Sequence, residues 1–171
     1  MRSKLLVMLA AVAASTATAC GSPSGDAQAD ALTSAVLQRY GLPDATIILR
    51  SREGAELRIL AQGTVGVSER MVLIVFDPAD PPRVRLTAET WPSREPATLA
   101  YAGDQRGSFL FGRLNDPKIV ALEVKLPDGG WRRSGVAGPA YVVEVPEADA
   151  IPQAWRFIDS SGGVVYAPSG Q

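Results

Sequence analysis

The stretch Ile119-Val120-Ala121-Leu122-Glu123-Val124-Lys125-Leu126 alternates residue by residue, with Val120, Leu122, Val124 and Leu126 set against Ala121, Glu123 and Lys125. A period of two gives a strand one aliphatic and one polar face, whereas a helix would scatter the same residues around its circumference. The pattern returns at 83–89, where Val84, Leu86 and Ala88 read as inward and Arg83, Arg85, Thr87 and Glu89 as outward. Working outward, further strands are expected at 46–50, 56–62, 71–76, 98–102, 108–114, 141–145, 155–159 and 164–166. Turn-forming residues separate them: Asp77-Pro78 through Pro82, Asp116-Pro117, Asp128-Gly129-Gly130 and the polar stretch 160–163. Residues 71–76 are apolar throughout, so that strand should be buried on both faces and be the least tolerant segment of the chain.

One segment breaks the rule of two. Leu32, Val36 and Tyr40 are spaced by four with Ala31 and Ala35 beside them, predicting a helix over about 26–40. Asp26 or Asp30 can cap its start, and Gly41 followed by Pro43 stops it. Its apolar stripe suits packing on its own domain, with a partner-binding helix as the other reading. Short strands, Gly/Pro punctuation and no helix between strands predict a mainly β chain: an antiparallel β-sandwich with one short N-terminal helix. Residues 31–171 are expected to form this domain, either whole or as two small β subdomains divided near 103–107.

The C-terminal half resembles the immunoglobulin-like and fibronectin-type-III-like modules of bacterial surface proteins. The residues that carry the likeness are 120–124, the turn Asp128-Gly129-Gly130, the strand Tyr141-Val142-Val143-Glu144-Val145, and a closing hairpin over 155–166. The antibody-type Cys-Trp-Cys arrangement is absent, so the resemblance implies a sandwich without fixing its strand order.

Cys20 is the only cysteine. Before it come Arg2 and Lys4, an apolar run from Leu5 to Ala14, and small residues from Ser15 to Ala19. Together they make a secretory signal, too short to serve as a spanning helix. Ala17-Thr18-Ala19 suits ordinary signal peptidase, which would leave a free thiol on Cys20. Ala17-Thr18-Ala19-Cys20 also resembles the lipobox of bacterial lipoproteins, a family that favours Leu where this chain has Ala17. A lone cysteine falling at the cleavage point argues for the lipobox. The resemblance implies a signal peptide over 1–19, a diacylglyceryl group on Cys20 and a Gly/Ser-rich tether within 20–30. It places the protein outside the cytoplasm, anchored by lipid to the cell membrane or an outer membrane.

Cleavage would leave about 150 residues, enough for a stable core without disulfides. Lys and Arg total 17 against 18 Asp and Glu, and cleavage removes two of the basic residues. That balance offers no basic stripe for nucleic acid. Histidine is absent from the whole chain, which excludes Ser-His-Asp triads, Cys-His dyads and His-ligated zinc. No cofactor-binding fingerprint occurs and no metal site is expected; Asp77 and Asp80 share a loop but lack a calcium-loop pattern. The expectation is therefore a non-enzymatic binding or structural module for a protein or cell-envelope partner. The alternative is a small carboxylate-dependent glycan hydrolase drawing on Asp104, Asp116, Glu123 or Asp159. For binding, the candidates are Trp131 and Trp91, placed at loop edges, and Arg132 and Arg133 beside the first. Trp155, starting an apolar strand, is expected in the core.

Overall fold

The computed structural model describes residues 25–77, 82–145 and 152–167. Residues 1–24, with the expected signal peptide and Cys20, and Pro78 and Asp80 of the Pro-rich turn lie outside the described residues. Among the described residues one helix, α1 (Gly25–Arg39), precedes β1 (Thr46–Glu53), β2 (Glu56–Val65), β3 (Ser68–Asp77), β4 (Arg83–Thr90), β5 (Ala100–Asp104), β6 (Gly107–Arg113), β7 (Ala121–Lys125), β8 (Trp131–Gly135), β9 (Ala140–Val145), β10 (Ala154–Ile158) and β11 (Val164–Tyr166). The chain is mainly β and every strand pairing is antiparallel. The helix begins at Gly25, so it occupies part of the stretch 20–30 expected as tether.

Three sheets stack. Sheet A has the order β1-β2-β3-β4, sheet C the order β5-β6-β9, and sheet D the order β11-β10-β7-β8. Alternation along the strands explains the stacking. Leu57, Ile59 and Ala61 of β2, with Val72, Ile74 and Phe76 of β3, pack against Ala29, Val36 and Leu37 of α1. The intervening residues Leu60, Met71, Leu73 and Val75 face Phe109 and Phe111 of β6. On the far side of β6, Leu110 joins Tyr141 and Val145 against Leu122, Val124 and Phe157 of sheet D. The layers thus run helix, sheet A, sheet C, sheet D, and sheet C is sandwiched on both faces. Residues 71–76 are at most 1% exposed, as a strand covered on both sides requires.

The middle layer needs close approach. A Cβ on Gly112 would lie 1.9 Å from the Thr98 carbonyl oxygen, which already accepts a 2.8 Å hydrogen bond from the buried Tyr141 hydroxyl. Glycine is the residue that fits there. The stretch 103–107 is the turn of the β5–β6 hairpin, in which Asp104 pairs with Gly107.

Several expectations need correction. In 83–89 the bulge at Val75/Phe76 breaks the simple alternation: Val84 turns toward the helix, and Arg85, expected outward, swings under the sheet with its side chain only 7% exposed. Sheet A is covered on both faces, so a polar face need not be a wet one. Val120, expected inward, is 37% exposed, and β7 starts only at Ala121, because Ile119 and Val120 belong to the approach loop. Residues 131–135 form β8, where no strand was expected; Trp-Arg-Arg-Ser-Gly has no apolar alternation to announce an edge strand. Trp155 is partly rather than fully buried, and its indole nitrogen lacks a hydrogen-bond partner.

Candidate functional site

The outer face of sheet D holds two of the four binding candidates, Trp131 and Arg133. The β7–β8 turn is built by Asp128, whose carboxylate accepts the Gly130 N–H at 2.8 Å, and by Gly129, which adopts φ 82°. This positive φ is the conformation that a non-glycine residue rarely takes. The turn sets the register Lys125↔Trp131 and Glu123↔Arg133, while β10 places Arg156 opposite Glu123 on the other side. Leu122, Val124 and Phe157 face the core, so Glu123, Arg133, Arg156 and Trp131 share the opposite face.

Their contacts make a small array. The Arg156 guanidinium lies 4.1 Å from the centre of the Trp131 ring, and its Nε donates to Glu123 at 2.7 Å. Arg133 reaches the other oxygen of Glu123 at 3.8 Å. Trp131 remains 41% exposed, with Arg156 holding one face of the indole. A cation over an indole is worth about 0.5–1 kcal/mol at an exposed site, enough to orient the ring without burying it. With Lys125 alongside, three cations face one carboxylate, leaving the surface positive on a chain of net charge −1. Arg132 differs from its neighbour. Opposite Val124 in register, it turns to the other side of β8 and lines a recess of about 240 Å³ with Ser134, Val143 and Val145.

Trp91 lies elsewhere. It follows β4, is 56% exposed, and has the Arg70 guanidinium 5.8 Å from its ring centre. It lies at the end of sheet A beside Arg70 of β3, away from Trp131 on sheet D. The structure therefore brings together Trp131 and Arg133, sets Arg132 at the adjoining edge, and leaves Trp91 apart. Arg156 is not among the sequence candidates; its signal, one charge inside Ala154-Trp155-Arg156-Phe157-Ile158, is legible only once the register with Glu123 is known.

A second constellation, also missed, sits between sheets A and C. Arg58 and Arg85 approach the Phe109 ring at 5.0 and 5.5 Å from its centre. Arg58 pairs with Glu56 at 2.7 Å, with Glu144 of β9 at 2.5 Å, and with Glu53. Arg85 pairs with Glu56 at 2.5 Å and takes both oxygens of Asp104 at 2.7 and 2.8 Å. Burial works against the charge of Arg58, but the hydrogen bond and charge of Glu56, with Glu53 and Glu144, more than offset it and raise its pKa. This is a latch rather than a site, because its charged groups already satisfy one another. Its sequence signal was Arg58 itself, a charge inside Leu57-Arg58-Ile59-Leu60.

The carboxylates considered for acid-base work are engaged. Asp104 is tied to Arg85, and its pKa falls to about 2 chiefly through that hydrogen bond. Asp116 accepts the Lys118 N–H, Glu123 holds two arginines, and Asp159 accepts the N–H groups of Ser161 and Gly163. The Ser161 hydroxyl and those turn amides hold Asp159 below the usual range. A general acid needs the opposite shift. Asp77 pairs with Arg106. Among the described residues no group of three or more acidic side chains is arranged to hold a metal ion, and no helix is long and apolar enough to cross a membrane.

Asp104 yields a prediction. Its folded pKa lies below the ordinary 3.8, so the stability it contributes is present above about pH 4 and is lost as pH falls toward 2. Melting temperature measured against pH should drop across that window, and Asp104→Asn should flatten part of the drop. Asp159 adds to the same limb, so the variant removes only the share of Asp104.

No family model matches the chain, and no similarity emerges to curated proteins or to solved structures.

Proposed function

We propose that this chain is a membrane-tethered, extracytoplasmic binding module, with no catalytic role, whose partner is a protein or envelope polymer carrying negative charge. The observation that carries the reading is the exposed Trp131 held by Arg156, with Arg133 and Lys125 on the same face and Arg132 at its edge. Aromatic and arginine side chains dominate the energy of protein contacts, because aromatics bring area at little entropic cost and arginines bring charge-assisted bonds. The anchor is Cys20, acylated as the lipobox resemblance implies.

Layer order supports a direction for the surface. Five residues from Cys20 to Gly25 can reach at most about 18 Å, which holds α1 near the bilayer. Sheets pack about 10 Å apart, so the outer face of sheet D lies roughly 30 Å beyond the helix and is available to something other than the anchoring membrane.

Two substitutions test the reading. Trp131→Ala should weaken capture of the partner from solubilised membranes by about tenfold or more, a hot-spot effect, while the melting temperature stays nearly constant. Large destabilisation with unchanged capture would sink the contact role and make Trp131 a packing residue. Cys20→Ser should move the protein from the detergent phase to the soluble fraction or leave an uncleaved precursor. An intact mass of the wild type without acyl groups would overturn the anchor.

A further inference from the structure

The other side of the molecule carries a groove that the sheet D reading does not use. Helix α1 crosses sheet A and covers the helix-side face of its edge strand β4 only in part, and between them lies a cleft of about 750 Å³. Leu32, Val36 and Val84 line it as apolar surface, and Tyr40 closes it with a hydroxyl that donates to Thr87 at 3.0 Å. Arg39 and Arg83 also line it, both exposed, and neither makes an ion pair among the described residues. Nine of the described arginines, Arg50, Arg52, Arg58, Arg70, Arg85, Arg106, Arg113, Arg133 and Arg156, have a carboxylate, and of the four without an ion pair, Arg39, Arg83, Arg94 and Arg132, two line this one groove.

We infer that the groove between α1 and β4 binds a single-chain fatty acid, its alkyl chain along Leu32, Val36 and Val84 and its carboxylate between Arg39 and Arg83. The volume falls within the range of small-molecule sites, about 300–1,000 Å³. An apolar lining with two unpaired guanidiniums fits an amphiphile with one anionic end. A neutral lipid would leave both cations without a counter-charge, and a small anion would leave the apolar wall wet. The groove lies across the layer stack from the outer face of sheet D, and fatty-acid binding there is independent of a partner on that face.

The test uses the full lipid-bearing protein in its membrane, labelled with palmitic acid carrying a photoreactive diazirine on its chain. Cross-linked peptides should come from α1 and from the segment beginning at Pro82, and unlabelled palmitic acid should compete where hexadecanol does not. Ala35→Trp, which adds bulk at an exposed helix position lining the groove, should abolish labelling. Arg39→Glu with Arg83→Glu should lower it by about tenfold or more, the effect expected when charge-assisted bonds are replaced by repulsion. Arg50→Glu, outside the groove, should leave it unchanged. Equal competition by hexadecanol, or undiminished labelling in both the Ala35→Trp and the double arginine variants, would overturn the proposal. So would labelling confined to other segments, as a second copy or a partner helix seated in the groove would produce.

Discussion

Leu73→Asp is expected to yield no folded protein. Leu73 is 0% exposed in the centre of β3, between Leu60 and Ala88 in register, and it faces the aromatic residues of sheet C. A carboxylate there has no cation in register on either side. Leaving it charged, or protonated without a partner, costs several kcal/mol on top of the lost leucine packing, against a total stability of about 5–15 kcal/mol. Circular dichroism of the variant should show no cooperative melt. Val75→Asp, two residues on, is a milder change despite equal burial, because Val75 stands opposite Arg58 and the new carboxylate would have a cation within reach. Two variants of the same strand should therefore differ sharply, and similar behaviour would show that the assigned register is wrong.

The second large effect is expected at the latch. Arg58→Ala should lower stability by about 3–5 kcal/mol, the usual consequence of removing one partner from a buried ion pair. Its side chain is 5% exposed and joins Glu56 on sheet A to Glu144 on sheet C, so its loss leaves Glu56 half-compensated and frees one face of Phe109. Arg50→Ala provides the contrast. Its pair with Asp30 is exposed on the helix side, and such pairs contribute about 1 kcal/mol or less. Denaturant titration of both variants measures the difference directly. Equal small losses would mean that apolar packing alone joins sheets A and C.

Much of the fold was legible from local pattern. The alternation at 119–126, the apolar run 71–76 and the four-residue spacing in 32–40 each describe what one element does with its own side chains. Their consequences, a strand, a doubly covered strand and a packed helix, appear in the structure with shifted ends. What local pattern could not supply was pairing. Arg85 reads as a solvent-facing residue until the bulge opposite Val75/Phe76 turns it under sheet C. β8 is invisible because an edge strand with one open side has no need of apolar alternation. The surface around Trp131 was half legible for the same reason. Trp131 and Arg133 announce themselves as a turn-edge aromatic beside a cation. Arg156 joins them from more than twenty positions away, through a register that no periodicity reveals. The strand pattern implies antiparallel sheets, which the structure has, but not a central three-stranded sheet covered on both faces.

A chain that meets its partner through the outer face of sheet D brings that partner within reach of Lys125. Site-specific photo-cross-linking in living cells tests that contact most directly, with the reactive side chain at Lys125, which neighbours Trp131 in register without being part of its stack. Val67, fully exposed in the β2–β3 turn of sheet A, is the control. A discrete cross-linked species from position 125, lost when Trp131→Ala is added and absent from position 67, is the predicted result. Adducts at position 67 with none at 125, or adducts at 125 that persist without the indole, would contradict it.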